Sequence, residues 1–215
     1  MARGGLFGRS ARTGAAPREV HPTRQRLIDT ALHLLEEKLP AAITADLILE
    51  QAGVSKGSLY HHFEDLTDLI EAAMIARFAI GVNESVQSLR DVVSSARSQE
   101  ELLRGLEGVA RAAHVQERTR HRAIRIQMIS LATMNPRFAA KLAREQECLT
   151  DALAAIFKEG QDKGLMNREF DARAAAVLIQ AFTLGKIVDE IVERPMEQEA
   201  WNRIISRLIR SVFGS

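Results

Sequence analysis

Apolar residues along this chain recur every three or four positions and do not alternate, so the pattern predicts helices throughout. Between Thr23 and Lys38, the residues Leu27, Ile28, Ala31, Leu32, Leu34 and Leu35 form one stripe. A longer stripe of Leu69, Ile70, Ala73, Met74, Phe78 and Val82 predicts a helix from an N-cap at Asp65 to about residue 96. Gly81 inside it either marks a bend or is an ordinary interior glycine, costing about 1 kcal/mol relative to alanine. Ser98 opens a helix over 99–114, and another over 116–134 is stopped by Asn135-Pro136. Phe138, Leu142, Leu149, Leu153, Ile156 and Phe157 mark a helix from 138 to about 163, ended by Gly164. Asp171 caps one expected to reach about Glu193, and after Pro195 a last helix covers 197–213. With two short helices between 44 and 63 the count is nine, with no strand pattern and no internal repeat.

Those two short helices carry the sharpest signal. The run Thr44 to Phe63, TADLILEQAGVSKGSLYHHF, reads as a helix-turn-helix. Thr44 and Ser55 are each placed to cap a helix start, Leu47, Ile48 and Ala52 face inward, and Gly53 sits where a chain leaving a helix needs positive φ. The segment Ala52-Gly53-Val54-Ser55-Lys56-Gly57-Ser58-Leu59-Tyr60-His61-His62-Phe63, together with the preceding helix, resembles the TetR/AcrR family of bacterial transcriptional regulators over roughly residues 20 to 75. The resemblance implies an all-α fold with an N-terminal three-helix head at 23–70 and a larger helical ligand-binding and dimerisation domain at 71–215. It also implies a homodimer on double-stranded operator DNA, released by a small-molecule effector, with repression as the family default.

A recognition helix enters the major groove by its N-terminal end, which places Lys56, Gly57 and Ser58 at base edges. Lys56 can donate to guanine O6 and N7, Ser58 suits either base type, and Gly57 permits close backbone approach. By resemblance Thr44, Tyr60 and His62 hold phosphates, with Ser55 and His61 beside them; the alternatives are a half-buried packing ring for Tyr60 and a solvated histidine pair. Two positions depart from the family pattern. Asp65-Leu66-Thr67 stands where a phosphate-binding lysine is frequent, and Asp46 stands where a basic base contact sometimes does. Asp46 reads either as an acceptor for cytosine N4 or as a solvated carboxylate.

Composition narrows the classes. Apolar residues make up 46% and aromatics 5%, which favours helix over sheet, and the formal charge of +1 gives no global basic footprint. A basic leader at 1–22 with Arg3, Arg9, Arg12 and Arg18 reads either as an arm that follows DNA or as a solubilising tail. The lone Cys148 permits no internal disulfide, and the absence of a transmembrane run or signal peptide leads to the expectation of a soluble, cytoplasmic protein without membrane contact. No nucleophile with a base, no metal-ligand spacing and no glycine-rich phosphate loop is recognisable, so neither an enzyme nor a metal or cofactor is expected. The readings from other classes are a helical small-molecule binder or enzyme that does not use operator DNA, and a DNA-binding scaffold answering to a protein partner.

In the C-terminal part, His114, Arg118, His121, Arg122 and Arg125 share one helical stripe. It reads either as a charged solvent face or as an anion-accepting patch over a pocket including Met128, Leu131, Phe138 and Phe182. Ala174, Leu178, Ala181, Gly185, Val188 and Val192 form a stripe with small residues, backed by a second face of Ala175, Ile179 and Phe182. Burial on two sides suggests a partner, and with Trp201, Ile204, Ile205, Leu208, Ile209 and Val212 on the last helix the resemblance implies a twofold four-helix dimer interface involving Leu178, Ala181, Gly185, Val188, Trp201, Ile205 and Leu208, with which the stripe is consistent; the alternative is an ordinary core helix in a monomer.

Overall fold

The computed structural model describes residues 21–38, 40–113 and 119–214. The basic leader, His114, Arg118 and the expected helix start at Gln116 lie outside the described residues. Nine helices of at least seven residues appear among the described residues: α1 Pro22–Glu37, α2 Ala45–Ala52, α3 Lys56–His62, α4 Leu66–Ser95, α5 Gln99–Ala113, α6 Thr119–Met134, α7 Pro136–Asp162, α8 Ala172–Gly185, and α10 Gln198–Phe213 after a single turn, α9, at Ile187–Glu190. No strand occurs among them.

Their boundaries follow local chemistry. Asp65, Asn135 and Asp171 each place a side-chain oxygen on a backbone N–H of the first turn they precede, at 2.8, 3.1 and 2.7 Å. Leu27, Ala31 and Leu34 of α1 are buried with Ile48, Leu59, Leu69 and Ala73, so α1 is the hub on which α2, α3 and the first turns of α4 pack. From there α4 continues uninterrupted through Gly81, and its 30 residues span about 45 Å from head to body. Phe138, Leu153, Phe157, Leu102 and Met128 fill the body core. Against α4, α5 comes so close at Gly105 that an added Cβ would stand 2.5 Å from Val92 Cγ1.

Two expectations are corrected. Helix α7 starts at Pro136, whose fixed φ suits the first helical position, so Pro136 begins a helix as well as ending one. The helix expected over 171–193 ends at Gly185. Glycine is a weak helix former, and the chain beyond it is held by side-chain ties, one local and one tertiary, that a periodic pattern does not carry. Lys186 Nζ pairs with Asp189 Oδ2 at 2.5 Å, and Glu190 pairs with Arg122 on α6.

Candidate functional site

The head presents its outward face through short-range hydrogen bonds. Thr44 Oγ1 accepts the Leu47 N–H at 3.3 Å and opens α2. Gly53 closes α2 at φ 62°, ψ 39°, a left-handed conformation that strains other residues. Ser55 Oγ accepts the Ser58 N–H at 3.2 Å and lies 3.0 Å from Ser58 Oγ, opening α3. Leu59, 0% exposed, and Phe63 anchor the inner side of α3. Lys56, Gly57 and His61 therefore face solvent, with Ser58 and His62 half-buried. Tyr60 is 51% exposed, and Asp46 and Thr44 are exposed on the neighbouring helix start.

At the C-terminal end of α3, His61 stays exposed while His62 packs beside other rings. The His62 ring lies 4.7 Å from His21 and 4.9 Å from His61. Burial, followed by the adjacent His21, His61 and Arg24, holds the His62 imidazole below its ordinary pKa. His21 Nδ1 accepts the Thr23 N–H at 3.2 Å to open α1, and the Arg24 guanidinium stands 5.0 Å from the centre of the Phe63 ring. Sequence reasoning missed His21. Its one local signal was the His-Pro step at a helix start; its ring contact with His62 is tertiary.

The head is tied to the body by a charged joint. Glu71, on α4 and only 1% exposed, accepts from Asn135 Nδ2 at 2.6 Å, while Lys141 Nζ and Arg137 Nη2 stand 3.5 and 3.6 Å from its other oxygen. Lys141 also pairs with Asp68 at 2.9 Å, and Arg137 with Glu64. Partial burial of Asp68 acts to raise its pKa, but the Lys141 hydrogen bond, the Glu64 N–H and the charges of Lys141 and Arg137 outweigh it and hold the carboxyl below its usual range. Asn135 thus serves twice, capping α7 with its oxygen and gripping α4 with its nitrogen.

Within the body, a cavity of about 740 Å³ lies among α4, α5, α6, α7 and α8 and reaches Leu32 and Glu36 of α1. That volume is in the range of small-molecule sites, roughly 300–1,000 Å³. Arg122, Arg125 and Met128 line it; Leu131, Phe138 and Phe182 do not, which corrects three of the expected pocket residues. Phe138 is fully buried in the core, and Phe182 turns instead toward Trp201, with ring centroids 6.4 Å apart. Arg122 is corrected in a different way. It is 4% exposed and already satisfied by Glu190, by Ala113 O at 2.8 Å and by Thr119 Oγ1 at 3.2 Å, so it staples α5, α6 and α9 together. Arg125 stands differently. Its Nη2 donates to Gln146 Oε1 at 2.9 Å and Gln180 Oε1 at 3.1 Å, its guanidinium lies 5.2 Å from the Phe78 ring centre, and burial depresses its pKa.

On the outer side of α8 and α10, Leu178, Ala181, Gly185, Ile204 and Leu208 are exposed, as are Val177 and, beyond the helix end, Val188 at 69%. Ile205 is only 6% exposed and faces the cleft between α5, α8 and α10, correcting its expected place on the outer face. Trp201 is half-buried beside Phe182, with Lys186 Nζ 5.8 Å from its ring centre. No helix of the described residues is long and apolar enough to cross a membrane.

The chain matches the model of bacterial regulatory proteins of the tetR family over residues 27–73, and that of the BetI-type transcriptional repressor C-terminal domain over residues 99–214. A similar protein is the HTH-type transcriptional regulator UidR of Escherichia coli K12, 22% identical over 171 residues, covering 80% of this chain and 83% of UidR. Among solved structures, a transcriptional regulator from Saccharomonospora viridis in complex with choline aligns with TM-score 0.64 at 18% identity, covering 88% of this chain and 96% of that one. FadR from Bacillus subtilis in complex with stearoyl-CoA aligns with TM-score 0.58 at 18% identity, covering 89% and 98%. The helix-turn-helix model and a C-terminal model covering more than half of the chain together make this protein a member of the TetR family, a ligand-responsive DNA-binding transcriptional regulator with a BetI-type C-terminal domain.

Proposed function

We propose that the protein is a cytoplasmic homodimeric repressor that binds a near-palindromic operator through α3 and leaves it when a small effector enters the body cavity. In this reading residues 23–70 are the DNA-binding unit and 71–215 the effector and dimer unit, with α4 belonging to both. The observation that carries it is the N-terminal end of α3: Lys56 and Gly57 are exposed beside Ser58 on a helix held rigidly by the Ser55 cap and the buried Leu59. A two-fold dimer would set two such ends in successive major grooves, about 34 Å apart. Its contact surface would be the exposed apolar face of α8 and α10, centred on Leu178, Ala181 and Leu208. Thr44, Ser55, Tyr60, His61 and His62 would line the phosphate backbone on either side of the base contacts.

Effector coupling has a mechanical route. The cavity is walled by the middle of α4, and the start of α4 is fixed to the head by Leu69 and to the body by Glu71. An effector that widens the space between α4 and α6 would pull on Asn135 and Glu71 and rotate the head. To drive such a two-state protein from almost wholly competent to almost wholly incompetent, the effector must favour the released state by about 5.5 kcal/mol.

Fluorescence anisotropy with DNA from the protein's own upstream region, at two salt concentrations, tests the reading. Lys56→Ala should lose about 1–3 kcal/mol of specific affinity, relax base preference, and lower the salt slope by about 1. Equal affinity of the wild type for that DNA and for a genomic library of fragments would reject operator recognition.

A further inference from the structure

Resting on the reading of the body cavity as the effector site, we infer that the effector is an organic anion with a bulky apolar body, its acidic group held by Arg125. The cavity wall is mostly apolar, with Phe78, Val82, Leu89, Met128, Leu153 and Ile179. Among the described residues three arginines reach it, and two of them are neutralised within the fold: Arg77 by Glu36 at 3.1 Å and Arg122 by Glu190. Arg125 has no carboxylate partner among the described residues. Its hydrogen-bond partners are the carboxamide oxygens of Gln146 and Gln180, and its Nε has none among the described residues.

The two glutamines are fixed by a neutral network. Gln180 Nε2 donates to Thr150 Oγ1 and to Ala176 O, each at 3.1 Å, and Thr150 Oγ1 in turn donates to Gln146 O at 2.9 Å. The network aims acceptor oxygens at Arg125 and sets its orientation, yet supplies dipoles where a buried cation calls for a full negative charge. A carboxylate, sulfate or phosphate group entering the cavity provides it, in the forked geometry that guanidinium groups favour. Among the described residues the carboxylates at the cavity do not compete: Glu36 is taken by Arg77, and Glu84 is exposed to water.

The same geometry disfavours a quaternary ammonium. Such cations are recognised by aromatic faces and nearby carboxylates. Phe78 is the one Phe, Tyr or Trp in the lining among the described residues, and the Arg125 guanidinium already covers its ring.

The test is displacement of N-phenyl-1-naphthylamine, a neutral dye that fluoresces in apolar cavities, from the full-length protein in the absence of DNA. The competitors are decanoate, 1-decanol and decyltrimethylammonium, which share one tail and differ in head group. Decanoate should displace the dye at a concentration at least ten-fold below the other two. Arg125→Met should bring decanoate to within two-fold of decanol, and Arg125→Lys should retain part of the preference. Decyltrimethylammonium acting at or below the decanoate concentration, or an undiminished preference for decanoate in Arg125→Met, would overturn the inference. The ranking on the unmodified protein decides the matter even where Arg125→Met does not fold. Because DNA is absent, a failure of operator regulation shows only in the anisotropy experiment and is read separately.

Discussion

The head and the body put their functional groups in place by opposite means. In the head, the hydrogen bonds that cap and close the recognition helices span three to five residues: Thr44 to Leu47, Leu49 to Val54, Ser55 to Ser58. In the body, Arg125 is held by residues 21 and 55 positions away, and Glu71 by one 64 positions away. A site of the first kind is written in adjacent residues and keeps its shape when the rest of the molecule shifts. The second kind exists only while several helices hold their relative positions, which is what an effector-sensitive site requires. The joint at Glu71 lies between them and, in the proposed mechanism, would convert a rearrangement of one into a displacement of the other.

The largest effect expected is from Leu59→Ala. Leu59 is fully buried under α1, so its loss should cost about 2–5 kcal/mol, all of it in the head. The chain has one tyrosine and one tryptophan, Tyr60 in the head and Trp201 in the body, so the two regions can be melted separately by tyrosine absorbance and tryptophan fluorescence. Leu59→Ala should lower the Tyr60 transition and leave the Trp201 transition in place. Equal shifts of both would mean that head and body fold as one unit, and the contrast between them would fail.

That division also explains what could be read in advance. The caps at Thr44, Ser55, Asp65, Asn135 and Asp171, the left-handed Gly53 and the inward Leu59 all follow from residues within one turn of each other. The helix pattern was legible for the same reason. What failed was tertiary. Arg122 and Arg125 are three residues apart on one stripe of α6, and nothing local tells that Glu190 neutralises the first and leaves the second unpaired. Similarly, Ile205 and Leu208 both border the cleft between α5, α8 and α10, and nothing local tells that the first is 6% exposed and the second 36%. His21 lies outside the recognition segment altogether, and reaches His62 only because α1 packs across the end of α3.

A smaller effect is expected at the joint itself. Glu71→Gln keeps an acceptor for Asn135 but removes the charge facing Arg137 and Lys141. Both cations are partly exposed and Lys141 keeps Asp68, so the cost should be about 1–2 kcal/mol, toward the low end for a charge-assisted contact. Its signature should be a separation of the Tyr60 and Trp201 transitions by a few degrees, with the Tyr60 transition the lower. An unchanged pair of melts would show that the apolar contacts of α1 with α4 hold the head unaided. The remaining pair to Asp68 is insensitive to acid down to low pH. Its carboxyl is depressed below the ordinary 3.8, so its contribution is complete above that value and is lost only as pH falls through the lower folded pKa.

The smallest effect separates two kinds of contact within the head. Lys56 carries a permanent charge, whereas the His62 imidazole is held below 6.5 by burial and by His21, His61 and Arg24, and is neutral at pH 7.5. A neutral donor at a phosphate releases no counterion, so His62→Gln should leave the salt slope of DNA binding at pH 7.5 unchanged while Lys56→Ala lowers it by about 1. As pH falls below 6.5, two consequences with opposite signs follow for the wild type. The unfolded chain takes up a proton at this position before the folded one does, so the contribution of His62 to stability is complete above 6.5 and declines as pH falls. If His62 lines the phosphate backbone as proposed, DNA affinity should rise over the same interval, because the protonated ring would then face phosphate. His62→Gln should abolish its share of both trends, which parallel melts and anisotropy titrations from pH 7.5 to 5.5 would read. A salt slope at pH 7.5 that falls in His62→Gln as far as in Lys56→Ala would mean that DNA itself keeps this histidine charged.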